Sequence, residues 1–443
     1  MFGSLNLTFG IELEFIVVYP RSHLYRLYPQ LLYDTQEEHP AGWAIHRFLR
    51  GRDIPVTGYE DIEEDVRAFA PYTAWRVDTE DHELDVQETK AMPGDDYSQE
   101  SVELASPRFW VADPYWPRKI MAVLQALKDL EKFLKCRTIC NTGLHVHVGN
   151  GDEKVPLKTC KNVLHVVTAF ERCFDILHPV PRIMHNTQHV NCPSFFFRHG
   201  PITSRDDRLL GWLEAIENCS TYEDIGELHV VRRPNTGHPN ETTGHNAAYN
   251  FDNLFADPEN GRYEEHLTNT IEFRQHVGTL DPGEIFAWIG LVTHLVRTCH
   301  SVSDTNLKQL FHVGIFNDRF DTLDLFRILC VPPLVFEHYA RQLDRNRDWA
   351  MEKRERQLEA EDGTEFFVLM AQFEDTRYRN GNLEALSMKR MCKFASLEYG
   401  VWSINLLAEF LCYFRSGLSP SVGSEGGLRV AVGEMNDTYS LEQ

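Results

Sequence analysis

The sequence predicts an α+β protein: a curved antiparallel sheet with helices on its apolar face and its polar face turned to a bowl-shaped site, followed by an α-helical C-terminal region. Two observations lead there. Three short segments alternate apolar side chains with carboxylates, imidazoles or a guanidinium at a period of two residues, the pattern of a strand with one face in the core. Between and after them, longer segments carry apolar residues at helical spacing, the pattern of amphipathic helices.

In chain order, the first strand is Phe9-Gly10-Ile11-Glu12-Leu13-Glu14-Phe15, with Glu12 and Glu14 on one face. A polar stretch from about Ser22 to Ala74, with many Pro, Gly, Asp and Glu residues, reads as an insertion or irregular lobe. Pro117 to Cys136 places Ile120, Leu124, Leu127, Leu130 and Leu134 at helical spacing, and Val155 to Leu177 does the same with Val163, Val167, Phe170 and Phe174. Between these helices, Gly143-Leu144-His145-Val146-His147-Val148-Gly149 offers a strand with two imidazoles on one face. Residues 179–248 are rich in Pro, Asn, His and Gly, contain Arg182, Arg198, Arg232 and Arg233, and read as substrate-specificity loops. His178, His185, His189, His199, His229, His238 and His245 read as loop histidines with local hydrogen bonds. Tyr249-Asn250-Phe251 reads as a short strand with Asn250 facing the site.

It lies beside the most informative strand, Ile271-Glu272-Phe273-Arg274-Gln275-His276-Val277-Gly278-Thr279. Alternation there puts Glu272, Arg274 and His276 on the polar face and Ile271, Phe273 and Val277 on the apolar one. Ile285, Trp288, Ile289, Val292, Leu295 and Val296 then form one helical stripe, and helical patterns recur at Leu323 to Arg341 and Leu383 to Phe414. The charged run Asp344 to Asp362 reads as a solvated helix or linker, and the tail from Gly417 as flexible. These elements give a catalytic domain over residues 1–300, with an insertion at about 22–74 and loops at about 179–248, then a helical region over 301–416 and a tail over 417–443.

The polar faces carry chemistry. Two carboxylates at i and i+2 on a strand lie about 6.5 to 7 Å apart, where like charges repel unless a cation lies between them. Carboxylates with imidazoles form the ligand set of a divalent ion: oxygen-rich sites favour magnesium or manganese, nitrogen-rich sites zinc. A solvated sheet face mixes Thr, Ser, Lys and Gln, whereas these faces hold potential ligands plus one arginine and are bracketed by Gly10, Gly143, Gly149 and Gly278.

Gly-x-Glu-x-Glu near the start, Leu-His-Val-His-Val-Gly in the middle and Glu-Phe-Arg-Gln-His-x-Gly-Thr-Leu further on resemble the amidoligases. These are relatives of glutamine synthetase and glutamate-cysteine ligase that join a carboxylate to an amine using ATP. Trp75-Arg76-Val77-Asp78 and Val102-Glu103-Leu104-Ala105-Ser106-Pro107 resemble the family's aspartate-bearing strand and its Glu-x-x-Ser-Pro strand, with Glu80 standing where the family usually has a serine. The resemblance covers roughly residues 7 to 300 and implies a glutamine-synthetase-like catalytic fold. It further implies ATP and Mg2+ (or Mn2+) as cofactors, the ions held by Glu12, Glu14, Glu103, Glu272 and one of His145 or His147. Arg274 is the implied clamp on a phosphate oxygen or substrate carboxylate, and Asp78 or Glu80 the group that takes the amine's proton or holds its ammonium form. Arg182, Asn250, Gln275 and His276 are the candidate substrate- or nucleotide-binding residues.

Composition narrows the partners. A chain of 443 residues that is 42% hydrophobic buries a large core. Its formal net charge of -22, with no Lys/Arg cluster, argues against nonspecific nucleic-acid binding, while the resemblance implies a small-molecule or peptide carboxylate and an amine as partners. No basic region followed by an apolar run opens the chain and no segment reaches bilayer length, so the expectation is a cytoplasmic protein without a membrane partner. The ten cysteines form no Cys-x-x-Cys pairs, and Cys160, Cys173, Cys299 and Cys412 fall in helix-like apolar patterns as reduced core residues. Two other classes compete with the ligase. One is a zinc hydrolase using His145, His147 and a carboxylate; the other is a non-catalytic nucleotide- or peptide-binding descendant.

Overall fold

The computed structural model describes residues 4–28, 39–57, 73–79, 97–132, 134–138, 142–178, 182, 205–229, 231–232, 242–243, 247–257, 267–315 and 320–343, all within one compact unit, Met1–Trp402. The expectations for Glu80, Arg198, Arg233, most of the loop histidines, the charged run 344–362, the Leu383–Phe414 pattern, Cys412 and the tail lie outside the described residues.

The architecture is mixed α+β, built on an open, mostly antiparallel sheet. Its strands are β1 (Leu7–Pro20), β2 (Val56–Thr57), β3 (Trp75–Asp78), β4 (Tyr97–Ala105), β5 (Phe109–Trp110), β6 (Lys135–Arg137), β7 (Gly143–Asn150), β10 (Tyr249–Asn250) and β11 (Ile271–Val277). A separate two-stranded ribbon joins β8 (Val231–Arg232) to β9 (Thr242–Thr243). The large sheet runs β10-β11-β7-β1-β4-β3-β2, with β5 and β6 also paired to β1 and only β2 and β3 parallel. The long β1 is the hub because its alternation is strict where the sheet is two-faced: Phe9, Ile11, Leu13 and Phe15 are buried on one side while Gly10, Glu12 and Glu14 occupy the other.

The apolar side is covered by the Pro282–Ser301 helix, which buries the expected stripe of Ile285, Trp288, Ile289, Val292, Leu295 and Val296. Its start is fixed by Pro282 in the first turn and by Asp281, whose carboxylate accepts the Glu284 N–H at 3.0 Å. Each fully buried side chain of this kind contributes about 1.5–3 kcal/mol, so this layer holds the sheet and leaves the other face available for chemistry. The Leu157–Ala169 helix packs on it, with the Asn162 amide donating to the Cys299 carbonyl at 2.8 Å. Further along, Thr322 donates to the Cys173 carbonyl at 3.0 Å and Gln342 to that of Leu177 at 3.1 Å, tying later helices to the same layer. Cys160, Cys173 and Cys299 are buried, as their apolar surroundings predict. Among the described residues no helix is long and apolar enough to cross a membrane.

Three elements differ from expectation. The polar stretch after residue 22 contains two helices, Arg21–Leu27 and Pro40–Arg50. The second lacks a side-chain cap of its own, but the distant Glu100 carboxylate on β4 accepts the Ala41 N–H at 2.8 Å, a partner local sequence cannot reveal. The helix expected to reach Cys136 is Trp116–Leu130, and Leu134 is buried in the turn into β6. The Leu323–Arg341 pattern divides into Thr322–Ile328 and a helix at 333–343. Pro332 intervenes and Pro333 opens the second helix, and Cys330 takes a left-handed φ of 52° as the first helix closes.

Candidate metal and active site

Residues directly opposite each other on neighbouring strands point to the same side of a sheet, and the register therefore assembles the site. Glu12 lies opposite His145 and Ala105, Glu14 opposite Glu103, and Glu103 opposite Asp78. His147 lies opposite Gly10 and Glu272, and Glu272 opposite Asn250. Acids and imidazoles that the chain spreads from residue 12 to residue 272 thus share one face of β3, β4, β1, β7, β11 and β10.

At the centre the Glu12 carboxylate bridges both imidazoles: Oε1 is 2.9 Å from His147 Nε2 and Oε2 is 3.0 Å from His145 Nδ1. Glu272 Oε1 lies 3.6 Å from His145 Nδ1 and 3.8 Å from His147 Nε2. Both histidines therefore aim a nitrogen at the same two carboxylates, and one ligand atom each from Glu12, His147 and Glu272 lie within 4.8 Å of one another. On the other side of His145, Nε2 is 3.3 Å from Glu14 Oε1, while Glu14 Oε2 accepts the Gly143 N–H at 2.6 Å. A Cβ at Gly143 would come within 2.3 Å of His145 Nε2, so glycine is what lets that ring lie there.

The charges fit together closely. Burial alone would raise the Glu12 carboxyl, but the charge of His147 and hydrogen bonds from both imidazoles outweigh it and hold Glu12 well below the carboxylate range. Burial alone would lower His147, but Glu12 and Glu272 outweigh it and raise the imidazolium to about 9. Glu272 is held low against burial by Arg274 first and His147 second. Arg274 forms a buried ion pair with Glu272, and the Asn250 amide donates to the other Glu272 oxygen at 2.7 Å.

The polar face of β11 is shorter than alternation predicts. Phe273 pairs with Val146 but His276 pairs with Leu144, so β11 gains one residue between them and the bulge reverses the facing of the residues beyond it. Contrary to expectation, His276 does not share the face of Glu272. Its Nδ1–H donates to the Val277 carbonyl at 2.7 Å, and its ring stacks on the helix side, 5.6 Å from Trp288 and 5.7 Å from His178. His178, expected to be a loop histidine, is itself buried against Trp288. Gln275 donates to Asp175 at 3.3 Å and is also fully buried. Arg182 is buried, and its guanidinium donates to the Arg274 carbonyl at 2.5 Å, pinning the bulge.

Two residues at the site escaped notice in the sequence. Arg76, two positions before Asp78 on the same strand face, forms an ion pair with it at 2.5 Å and lies 4.0 Å from Glu103. Thr270, two positions before Glu272, meets His147 Nδ1 at 3.1 Å. The same period-two rule that found their neighbours would have found both.

Whether these residues suit a cation can be judged from the face itself. Glu14, Glu103 and Asp78 stand directly opposite one another on adjacent strands about 4.8 Å apart, an arrangement that is destabilising for like charges unless something positive intervenes, as Arg76 does at the Asp78 end. His145 Nε2 is buried, has no hydrogen-bond partner among the described residues, and faces Glu14. Carboxylate oxygens with one or two imidazole nitrogens are a donor set for Mg2+ or Mn2+, so the residues fit.

A family model described as “Putative amidoligase enzyme” matches residues 5–296, from the start of β1 almost to the end of the helix that backs the sheet. No curated protein matches the chain. Since the matched residues include every strand bearing the carboxylates and imidazoles above, and most of the sequence, the chain belongs to this amidoligase family, enzymes of the ligase type.

Proposed function

We propose that the protein is an ATP-dependent carboxylate–amine ligase that forms an amide or isopeptide bond through an acyl phosphate, releasing ADP and phosphate. The observation that carries this reading is the in-register acidic face, Glu14–Glu103–Asp78 beside Glu12–His147–Glu272, with Arg274 fixed against its edge. That is more carboxylate than a one-metal hydrolase needs, and it suits a site that must bind and screen a polyphosphate within an acidic chain.

A carboxylate is a poor electrophile at neutral pH. In the first half-reaction its oxygen takes the γ-phosphoryl group and ADP leaves; in the second the amine attacks the acyl carbon, phosphate leaves, and the amine gives up a proton. Bound Mg2+ or Mn2+ supplies charge neutralisation at the phosphates. Glu12, His147 and Glu272, with His145 alongside, would hold such an ion, and Glu14 and Glu103 would hold a second. Arg274, fixed by Glu272, is placed to meet a phosphate or carboxylate oxygen. Asp78, at the more open end of the face, receives the amine as an ammonium or takes its proton. Asn250 and Arg182 act through others, holding Glu272 and the bulge, and we assign Gln275 and His276 to packing against the helices. We read the sheet as a glutamine-synthetase-like catalytic platform in a cytoplasmic enzyme acting on small-molecule or peptide substrates.

The approach of both His145 and His147 to Glu12 also suits a hydrolytic zinc site, and one experiment separates the two. Purified protein is supplied with ATP, Mg2+ and paired sets of carboxylic acids and amines, phosphate release is followed, and products are weighed by mass spectrometry. The ligase reading expects phosphate and ADP only when acid and amine are both present, with a product of their summed mass less one water. Stoichiometric bound zinc with ATP-independent amide cleavage overturns it.

A further inference from the structure

The site has a second layer built around one hydroxyl. Thr270 Oγ1 lies 3.1 Å from His147 Nδ1, and Thr268 Oγ1 lies 2.8 Å from Thr270 Oγ1. Two side chains at i and i+2 of a regular strand stand about 6.5 to 7 Å apart, so contact between their hydroxyls requires a local departure from the strand. Asn269 supplies it with a left-handed φ of 60°, a conformation that asparagine tolerates better than most side chains. On the other side of Thr270, a Cβ at Gly149 would come within 3.1 Å of its Cγ2. Glycine there leaves room for the methyl group, which favours the rotamer that turns the hydroxyl to His147.

Resting on the metal reading above, we propose that Thr270, backed by Thr268, is a positioning residue that fixes the tautomer and ring orientation of His147. A hydroxyl carries one proton and can accept as well as donate. When Thr270 gives its proton to Thr268 Oγ1, its lone pair faces His147 and accepts the Nδ1–H. The lone pair on Nε2 then points between Glu12 and Glu272, at 2.9 and 3.8 Å from their nearer oxygens, where a cation would be bound. A metal-ligating imidazole needs such an acceptor on its other nitrogen, and loss of the acceptor typically weakens metal binding 10- to 100-fold. Most imidazole ligands use a carbonyl or carboxylate for this purpose. Here the hydroxyl pair does it without adding another negative charge to an acidic face.

The test uses the full chain with Mn2+ as the probe, free Mn2+ being followed by electron paramagnetic resonance. Thr270→Val keeps the branched shape against Gly149 and removes the hydroxyl; it should weaken Mn2+ binding by about tenfold or more, and Thr270→Ser should restore most of the affinity. In metal-free protein with 15N-labelled histidine, held at a pH above the His147 value of about 9 so that the ring is neutral, the His147 signal is identified by its loss in His147→Gln. Its Nδ1 should read as protonated in the wild type and in Thr270→Ser, and as a mixture of tautomers in Thr270→Val. Wild-type affinity together with an unchanged His147 spectrum in Thr270→Val overturns the proposal. If the wild type takes up no Mn2+, the metal reading fails, and the nitrogen spectrum still decides whether Thr270 sets the tautomer. Should Thr270→Val lose its fold, Thr268→Val, which removes the acceptor of the Thr270 proton, takes its place in both measurements.

Discussion

Replacing Arg274 with alanine should destabilise the metal-free protein well beyond what a surface ion pair contributes. The side chains of Arg274 and Glu272 are only 9% and 2% exposed, so the variant leaves a carboxylate in a dry environment with its principal counter-charge removed. Breaking a buried pair from one side costs about 3–5 kcal/mol. Glu272 keeps the Asn250 hydrogen bond at 2.7 Å and has His145 and His147 nitrogens at 3.6 and 3.8 Å. This places the cost at the lower end, about 3 kcal/mol, or roughly a 150-fold shift in the folding equilibrium. Urea unfolding of wild type and variant measures it. Saturating Mg2+ should recover more stability in Arg274→Ala than in the wild type, because the ion takes over the missing positive charge, and Arg274→Lys should fall between the two. A variant within about 0.5 kcal/mol of wild type without metal, the range of ordinary surface changes, would refute the idea that Arg274 and Glu272 form a buried functional couple.

The other predictions concern neighbouring groups. His147 has its folded-state pKa raised from 6.5 to about 9, so its contribution to metal-free stability is complete below about 6.5 and lost as pH rises through 9. Denaturation midpoints should therefore fall across that window in chelated protein, much less so in Mg2+-loaded protein whose imidazole holds no second proton, and equal slopes in both states would contradict the assignment. The Glu12 side of the pair carries the opposite sign: held well below 4.5, it gives stability present above that value and lost as the medium acidifies through its depressed pKa. Glu12→Gln removes a carboxylate that meets both imidazoles; it should abolish Mn2+ binding at that centre while the protein stays folded by circular dichroism, and retained affinity would take Glu12 out of the ligand set. Gly143→Ala would set a methyl 2.3 Å from His145 Nε2 and 3.0 Å from Arg182 Nη2, and a cost of about 1–3 kcal/mol is expected from such overpacking. A crystal structure of that variant with His145 unmoved would show that the glycine has another purpose.

Much of the site was legible because its chemistry obeys the strand period. Glu12 with Glu14, and His145 with His147, are displayed at i and i+2, and backbone pairing turned those local patterns into one surface. The short β10 strand was likewise readable from Tyr249-Asn250-Phe251, and its pairing does bring Asn250 opposite Glu272. Sequence periodicity missed the information carried by tertiary contacts. The bulge in β11 that sends His276 to the helix side is held from outside the strand, by the distant Arg182 on the Arg274 carbonyl at 2.5 Å. The helix Pro40–Arg50 looked irregular because its N-terminal partner, Glu100, lies in another strand. Thr270 was legible by periodicity but passed over, since a hydroxyl suggests a solvated sheet edge unless the histidine beside it is known, whereas Thr268 reaches it only through the left-handed turn at Asn269.

The ligase account is tested most directly by following oxygen. With an acid and amine that support phosphate release, the carboxylate of the acid is labelled with heavy oxygen and the phosphate formed in a Mg2+-ATP turnover is analysed by mass spectrometry. If the acid oxygen attacks the γ-phosphorus and phosphate later leaves from the acyl carbon, one labelled oxygen appears in each phosphate released and ADP carries none. Label in AMP with release of pyrophosphate, or product formed with no label in phosphate, would contradict the acyl-phosphate route and with it the roles given to Arg274 and the acidic face.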